Sequence, residues 1–118
     1  MKWVLLTILV IAILYYLFPI ITVCEFSMLP TYHDKEIILG TRLFCKKIKV
    51  GDIVIYRTPN NRERVVIKRV AKIEDGFMYC LGDNPSQSYD SRNYGWVSLN
   101  DIVCKPIKSR KRGSSNEQ

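Results

Sequence analysis

The sequence predicts a mainly β protein, with a small coiled-sheet or barrel-like domain after a single N-terminal transmembrane helix. Residues 3–23 form a run of 21 residues without a charged side chain, and about 20 apolar residues suffice for a helix to cross a bilayer. After this run, short apolar stretches alternate with turn-forming residues, and no segment shows the 3.6-residue period of an amphipathic helix. These two observations predict a membrane anchor followed by strands.

Charge is distributed unevenly along the 118 residues, a length that suffices for about one domain. All 11 acidic residues and 17 of the 18 basic residues follow Val23. This division excludes a freely soluble protein, a disordered chain and a multidomain enzyme. We expect three parts: a membrane anchor at 1–23, a β-rich domain at 24–104, and a basic, disordered tail at 105–118.

The apolar run has the features of a retained anchor rather than of a cleaved signal peptide. A signal peptide has an apolar region of about 7–15 residues before a small-x-small cleavage site, whereas this run is longer and ends in Ile21-Thr22-Val23-Cys24. Lys2 and the amino terminus lie on its short side, and Glu25 is the first charged residue on the other. The positive-inside rule then places the domain on the extracytoplasmic side of a bacterial plasma membrane or an organellar inner membrane.

Five stretches after the anchor are predicted to be strands, because each is apolar and is bounded by turn residues. Thr58-Pro59-Asn60-Asn61 ends the second stretch, and Asp75-Gly76 joins the third and fourth as a hairpin. The third stretch has valine and isoleucine on both faces, as expected for a strand that is buried on two sides. The five stretches are residues 36–39, 52–56, 64–73, 77–81 and 96–103.

The tail at 105–118 is rich in basic residues. It is either a solvated end or a segment attracted to anionic lipid headgroups, an interaction worth about 1 kcal/mol for each base near the surface. Nucleic-acid binding is not expected, because no basic motif with interleaved aromatic residues accompanies the charge. The basic residues of the tail are Lys105, Lys108, Arg110, Lys111 and Arg112.

Ser27 is the first candidate for chemistry, four residues past the apolar run in Ser27-Met28-Leu29-Pro30-Thr31. A nucleophile there would act at the membrane surface on a substrate that is still held in the bilayer. Pro30 favours extended backbone at the residue before it, which would hold the stretch open for a peptide. We therefore predict that Met28 and Pro30 bind substrate. The alternative is a membrane-proximal linker without a catalytic role.

A serine hydroxyl needs a base to become nucleophilic, and two residues are candidates. His33 lies six residues after Ser27 in a polar turn, a position typical of an exposed loop residue. Lys68 shares its face of a predicted strand with Val66 and Val70, and in such apolar surroundings a lysine pKa can fall to about 5–6. The alternative is that Lys68 extends from an edge strand into solvent. Arg69 points to the opposite face and stays charged.

A third cluster of polar residues begins at Gly82-Asp83-Asn84 and continues to Arg92. Asp90 and Arg92 are close enough in sequence to form an ion pair. Ser88 or Ser91 could hydrogen-bond to a lysine amine and orient it. An ordinary polar loop is the alternative interpretation of this cluster.

In this order, the segments resemble those of the type I signal (leader) peptidases, a family that uses a serine and a lysine in catalysis. The resemblance covers about residues 22–104 and implies a β-rich domain of coiled sheets. It also favours a buried Lys68 that acts as a base over a Lys68 that extends into solvent. The matching segments are Ser27-Met28-Leu29-Pro30-Thr31, Gly51-Asp52-Ile53-Val54, Lys68-Arg69-Val70, Gly82-Asp83-Asn84 and Ser88-Tyr89-Asp90-Ser91-Arg92.

The resemblance also implies a role for each site residue. Ser27 would be the nucleophile and Lys68 the general base, with Ser88 orienting the lysine and an Asp90–Arg92 salt bridge in support. The implied reaction is acyl transfer on preproteins with small residues before the cleaved bond, bound as an extended strand. No metal or organic cofactor is implied.

Two features depart from the family pattern. Some relatives have Ser or Thr two residues before the nucleophile as an oxyanion donor, and Glu25 stands there instead. The 13 residues between Lys68 and Gly82 leave no room for the large insertion of many bacterial relatives, so the chain resembles the compact forms. Two alternatives stay open: a peptidase specialised for one precursor, and a catalytically silent relative that acts as a binding module, with Glu25 blocking the oxyanion hole.

The four cysteines allow three disulfide pairings, and none has metal-type spacing. Either one disulfide bond in an oxidising compartment or buried thiols are compatible with their positions. They are Cys24, Cys45, Cys80 and Cys104.

Overall fold

The computed structural model describes residues 1–23 and 26–110, which form an N-terminal helix followed by one antiparallel sheet. The mainly β class is thereby confirmed. The helices are α1 (Lys2–Leu17) and the single-turn α2 (Ser91–Tyr94). The strands are β1 (Ile20–Thr22), β2 (Ile37–Thr41), β3 (Ile53–Thr58), β4 (Asn61–Glu74), β5 (Phe77–Leu81), β6 (Val97–Ser98) and β7 (Ile102–Arg110).

Helix α1 is shorter than the apolar run and ends at Leu17, two residues before Pro19. Proline cannot continue a helix and disfavours helical backbone at the residue before it, which explains the end of α1. Residues 20–22 then form β1 and pair with β2, which corrects the expected anchor boundary at residue 23. No helix in the described ranges is both long and apolar enough to cross a membrane.

The sheet has the strand order β1-β2-β7-β3-β4-β5-β6. The last strand, β7, therefore lies inside the sheet, between β2 and β3. This corrects the expected tail, since residues 105–110 are part of a strand. The basic side chains concealed the strand because ladder hydrogen bonds use the backbone alone. Pro106, which has no N–H to donate, lies at a register shift where irregular pairing accommodates it. Residues 111–118 of the expected tail lie outside the described residues.

Four of the five predicted stretches are strands close to their expected bounds. The fifth, residues 96–103, is instead divided into β6, a 3₁₀ turn at Leu99–Asp101, and the start of β7. The side chain of Ser98 begins this turn by accepting a hydrogen bond from the Asn100 N–H, at 3.1 Å. The apolar residues on both sides of the turn led to the prediction of a single strand, although Ser98, Asn100 and Asp101 are turn-forming residues.

Both faces of the central strands are buried, as the apolar residues of β4 predicted. One core cluster contains Val54 of β3 with Val66 and Val70 of β4. A second cluster on the opposite face contains Ile55 of β3 and Ile67 of β4. Lys68 belongs to the face of Val66 and Val70 by strand alternation, so the strand places its amine inside the domain.

Three of the four cysteines are free, buried thiols, namely Cys45, Cys80 and Cys104. Burial raises the pKa of the Cys80 thiol to about 12 and that of Cys104 to about 11, so both are neutral near pH 7. Cys24 lies outside the described residues.

Gly40 of β2 packs directly against Cys104 of β7, and this contact provides a test of the β2–β7 pairing. A Cβ atom at residue 40 would lie 2.8 Å from Cys104 Sγ and 3.2 Å from the Lys105 carbonyl oxygen. We expect Gly40→Ala to lower the free energy of unfolding by about 1–3 kcal/mol through overpacking. Urea denaturation in detergent would measure this change.

Cys104→Ala provides the matched control, because it removes the sulfur atom that the new Cβ would meet. The double variant should therefore lose less stability than the sum of the two single variants. Strict additivity of the two losses would contradict the observed packing of β2 on β7.

Candidate active site

Ser27 lies in a loop whose ends are joined by backbone hydrogen bonds. The Val23 N–H donates to the Glu36 carbonyl at 2.9 Å, and the Lys35 N–H donates back to Val23. The loop therefore leaves β1 and returns to the sheet just before β2. Inside it, the Leu29 N–H bonds to the Phe26 carbonyl at 3.2 Å, which closes a tight turn around Ser27.

The side chain of Lys68 reaches Ser27 from β4. Its Nζ atom donates a hydrogen bond to Ser27 Oγ at 2.8 Å, although the two residues are 41 positions apart in sequence. Both residues are 0% exposed. Burial penalises the ammonium form of lysine relative to the neutral amine. The arrangement thus places the Ser27 hydroxyl against a buried amine.

The Gly82-Asp83-Asn84 segment holds the Ser27 turn from the other side. The Asn84 N–H donates to the Ser27 carbonyl at 2.7 Å, and Asn84 Nδ2 donates to the Phe26 carbonyl at 3.0 Å. Residue 82 has to be glycine because its neighbours approach closely: a Cβ atom there would overlap Ser88 Oγ and would lie 2.7 Å from the Ser27 carbonyl oxygen. Residues 82–84 therefore fix the backbone that carries the hydroxyl.

Asp90 is buried and anchors the end of this segment. Its carboxylate accepts hydrogen bonds from Gly82 N–H at 2.9 Å, from the Ser88 hydroxyl, and from Arg92 Nη2 at 2.8 Å. The Asp90–Arg92 pair expected from the sequence is therefore present. Asp90 also caps α2 through the Arg92 N–H. The structure places Ser88 beside Gly82 and against Asp90, while its role toward Lys68 stays a prediction.

Burial alone would raise the pKa of Asp90. Hydrogen bonds from Arg92, Ser88 and the Gly82 N–H outweigh that effect and hold the pKa well below its ordinary value. The carboxylate is thus a fixed negative charge beside the segment that positions Ser27.

A second ion pair, which the sequence reasoning missed, joins four of the five segments that match the family. Arg69 makes two hydrogen bonds to Asp83, from Nε to Oδ1 at 2.9 Å and from Nη2 to Oδ2 at 2.8 Å. Its Nη1 also donates to the Gly51 carbonyl at 2.9 Å, and Asp83 accepts from the Thr31 hydroxyl. The hydrogen bond from Arg69 is the main reason that the pKa of Asp83 is lowered. Strand alternation, which places Arg69 on the opposite face from Lys68, was the sequence signal that could have indicated a separate partner for Arg69.

The two residues predicted to bind substrate lie in different environments. Met28 is fully buried in the second core cluster, where its sulfur accepts the Asp83 N–H at 3.4 Å. Its side chain therefore supports the loop from inside. Pro30 is exposed and follows a cis peptide bond. Its contact with substrate stays a prediction.

His33, the weaker candidate for the base, faces Glu36. Its backbone N–H donates to Glu36 Oε1 at 2.8 Å, and its Nδ1 lies 3.7 Å from the same oxygen. Ser27 Oγ accepts a hydrogen bond from Lys68, which was the stronger of the two candidates for the base.

Glu25, the expected departure at the oxyanion hole, lies outside the described residues. Across residues 1–23 and 26–110, no group of three or more His, Cys, Asp or Glu residues could hold a metal ion.

The lowered pKa of Asp90 predicts a loss of stability in acid. A carboxyl group with a lowered folded-state pKa stabilises the fold above its unfolded pKa of about 4, and this contribution is lost as the pH falls toward the folded value. We expect the free energy of unfolding to decrease below about pH 4. In Asp90→Asn that decrease should be smaller, and stability at neutral pH should be lower by about 2–3 kcal/mol. Urea denaturation across this pH range measures both.

Asp75→Asn is the matched control, because Asp75 lies in the exposed β4–β5 turn. Its stability and acid sensitivity should equal those of the unaltered protein. An Asp90→Asn variant with unchanged acid sensitivity would contradict the role assigned to the buried carboxylate.

Comparison with known proteins places these residues in a family. Residues 1–73, which include Ser27 and Lys68, match the family model described as signal peptidase, peptidase S26. Mitochondrial inner membrane protease subunit 1 of Schizosaccharomyces pombe is 31% identical over 114 residues, covering 78% of this chain and 73% of the relative. Subunit 2 of the same organism is 32% identical over 80 residues, covering 52% and 44%.

A plant protein shows the same level of similarity. Mitochondrial ATP-independent inner membrane protease subunit 1a of Arabidopsis thaliana is 30% identical over 106 residues, covering 69% of this chain and 63% of the relative. The chain thus spans from less than half to nearly three quarters of these relatives. Because the family model covers more than half of the chain and encloses the hydrogen-bonded serine and lysine, the protein belongs to the signal peptidase family, peptidase S26.

Proposed function

We propose that the protein is a membrane-anchored serine endopeptidase that removes signal (leader) peptides from precursor proteins by acyl transfer through Ser27 and Lys68. The observation that carries this proposal is the 2.8 Å contact between Lys68 Nζ and Ser27 Oγ, with both residues buried. A serine hydroxyl hydrogen-bonded to a buried amine has the nucleophile and its base within reach of each other, as covalent catalysis by serine requires.

In the first half of the reaction, the neutral amine of Lys68 takes the proton of Ser27 Oγ as that oxygen attacks the carbonyl carbon of the cleaved bond. When the tetrahedral intermediate collapses, the C–N bond breaks and the Lys68 ammonium returns its proton to the departing amine. The product is an ester between the leader peptide and Ser27. In the second half, Lys68 takes a proton from a water molecule as the water oxygen attacks this ester. When the C–O bond to Ser27 breaks, Lys68 returns that proton to Ser27 Oγ, and the leader peptide departs as a carboxylic acid.

The developing oxyanion needs a donor. We assign this role to the Ser27 backbone N–H, and loss of one such donor typically reduces the rate by about 10²–10³. Asn84 supports the assignment, because its hydrogen bonds to the carbonyls of Phe26 and Ser27 fix the orientation of the intervening peptide units. A rigid donor adds to catalysis because it requires no reorganisation during the reaction.

An apolar cleft next to strand β1 has properties that suit the expected substrate. It is lined by β1 and Val23 on one side and by Ile55 and residues 65–67 on the other. Strand β1 lies at one edge of the sheet, and an edge strand can pair with an extended peptide while the adjacent cleft takes alternate side chains. Because Ser27 is fully buried, substrate binding has to expose its hydroxyl.

The membrane part of the proposal rests on α1. Its apolar side chains are exposed on every side, which is a costly arrangement in water and a favourable one in lipid. The relatives are named as inner membrane proteases of mitochondria. We therefore infer that α1 holds the protein in an organellar inner membrane or a bacterial plasma membrane, with the sheet on the extracytoplasmic side.

A narrower function is the second candidate. Both fission yeast relatives are named as subunits of one protease, which favours a peptidase that works beside another chain on a restricted set of precursors. Comparing cleavage of several precursors would separate a dedicated enzyme from a general one, without altering the chemistry proposed for Ser27 and Lys68.

Cleavage of a preprotein with an Ala-x-Ala site by the detergent-solubilised protein tests the proposal. Ser27→Ala and Lys68→Met should each reduce kcat/KM by about 10⁴-fold or more, since residues that act as a unit fail together. For the unaltered protein, activity should rise with pH as a larger fraction of the amine becomes neutral. Mass spectrometry of the products identifies the cleaved bond.

Two matched variants control for general effects of the substitutions. Lys72→Met alters an exposed lysine on the same strand, and Ser86→Ala alters an exposed serine. Both should leave kcat/KM unchanged. Retained cleavage in Lys68→Met would remove the proposed base, and a folded but inactive unaltered protein would favour the silent binding module.

A further inference from the structure

One surface segment that the proposed chemistry does not use combines exposed apolar side chains with positive charge. We call residues 42–50, between β2 and β3, the basic loop. Phe44 is 73% exposed, Val50 is 61% exposed and Leu43 is 45% exposed. Contiguous exposed apolar side chains on a small domain mark a surface that meets a partner or a membrane.

The backbone of the basic loop holds Phe44 outward. Phe44 has a φ of 55°, which lies in the left-handed region that bulky residues rarely occupy. Cys45 and Ile48, which follow it, pack into the first core cluster, and the Lys47 N–H donates to the Phe44 carbonyl at 3.1 Å. The ring is thus exposed by a fixed and strained backbone, and such strain is most often retained where it serves a function.

The charge of the basic loop has a single sign. It contains four basic residues and no acidic residue. Lys46, Lys47 and Lys49 are exposed, and Lys47 Nζ lies 5.3 Å from the centre of the Phe44 ring. The neighbouring carboxylate of Asp52 is already paired with Lys105 at 3.1 Å. The free charge around the apolar residues is therefore positive, which complements an anionic surface.

The fourth base, Arg42, ties the loop to the end of α1. Its backbone N–H donates to the Leu17 carbonyl at 2.8 Å, and its Nε donates to the Tyr16 carbonyl at 2.7 Å. Its guanidinium also lies 4.7 Å from the centre of the Tyr16 ring. The loop therefore begins at the point where the exposed apolar helix meets the domain. A surface that contacts α1 at that end would contact the loop as well.

We propose that the basic loop is a second membrane contact, in which Phe44 and its apolar neighbours enter the headgroup region and the lysines bind anionic lipid. This inference rests on the proposed membrane location of α1. Apolar side chains ringed by lysine are the usual composition of segments that lie in a membrane interface. Two contacts fixed relative to each other by Arg42 would set the tilt of the domain, and with it the height of Ser27 above the membrane.

Tryptophan fluorescence in proteoliposomes tests this contact with the full chain. The reporter is Phe44→Trp in a Trp3→Phe/Trp96→Phe background, and the quenchers are phospholipids brominated near the headgroup end of their acyl chains. Phe77→Trp in the same background is the control, since Phe77 is an exposed aromatic residue at the β4–β5 hairpin. Trp96→Phe alone leaves Trp3 to report on α1. Vesicles contain either phosphatidylcholine alone or phosphatidylcholine with phosphatidylglycerol.

We expect strong quenching at position 44, more in vesicles with phosphatidylglycerol than without, and none at position 77. Lys46→Gln/Lys47→Gln/Lys49→Gln should reduce the quenching to the level seen in phosphatidylcholine. Quenching of Trp3 without quenching at position 44 would overturn the proposal and leave the location of α1 intact. Protection of position 44 from aqueous iodide without lipid quenching would also overturn it, and would indicate a protein partner. An unquenched Trp3 would instead contradict the membrane part of the proposed function.

Discussion

The contact between Lys68 and Ser27 is the constraint on which the rest of the site depends, because it requires an amine to be held inside the domain. Strand β4 makes this possible by having two buried faces. Its alternation directs Lys68 toward Ser27 and Arg69 toward Asp83. One short stretch of backbone therefore positions the amine and also fixes the segments around it. A shift of β4 by one residue would exchange the two side chains and leave a guanidinium facing the hydroxyl.

The remaining polar groups of the site maintain this geometry. Asp90 is buried with hydrogen bonds to both of its oxygens, and it ties Gly82 and Ser88 to the same carboxylate. Gly82 in turn lies against the Ser27 carbonyl, so that no side chain separates the segment from the loop. Buried charges are tolerated when they are paired and hydrogen-bonded, and both carboxylates near the site meet that condition through an arginine. The segments that hold the Ser27 loop are thus fixed by two ion pairs, Arg69–Asp83 and Arg92–Asp90.

Much of this arrangement could be predicted from local patterns. Valines two positions on either side of Lys68 were compatible with its burial, and the resemblance to the peptidase family favoured burial over extension into solvent. Turn residues predicted the ends of most strands. Strand β7 was not predictable in the same way, because its basic side chains resemble a solvated tail while its pairing depends on backbone atoms of β2 and β3. The Arg69–Asp83 pair was missed for a different reason, since it depends on the register of β4 against β5 and on the position of the Ser27 loop. Pro19 did indicate the end of α1, but the length of the apolar run outweighed that local signal.

The central claim is that the Lys68 amine is neutral when the enzyme is at work, and NMR of the lysine side-chain nitrogen atoms tests it most directly. Selective ¹⁵N labelling, with Lys68→Met to identify the signal, would report the protonation state of this amine as the pH is varied. We expect a neutral amine near pH 7 that becomes an ammonium group only in acid. An ammonium signal that persists up to about pH 10, as for an ordinary lysine, would contradict it.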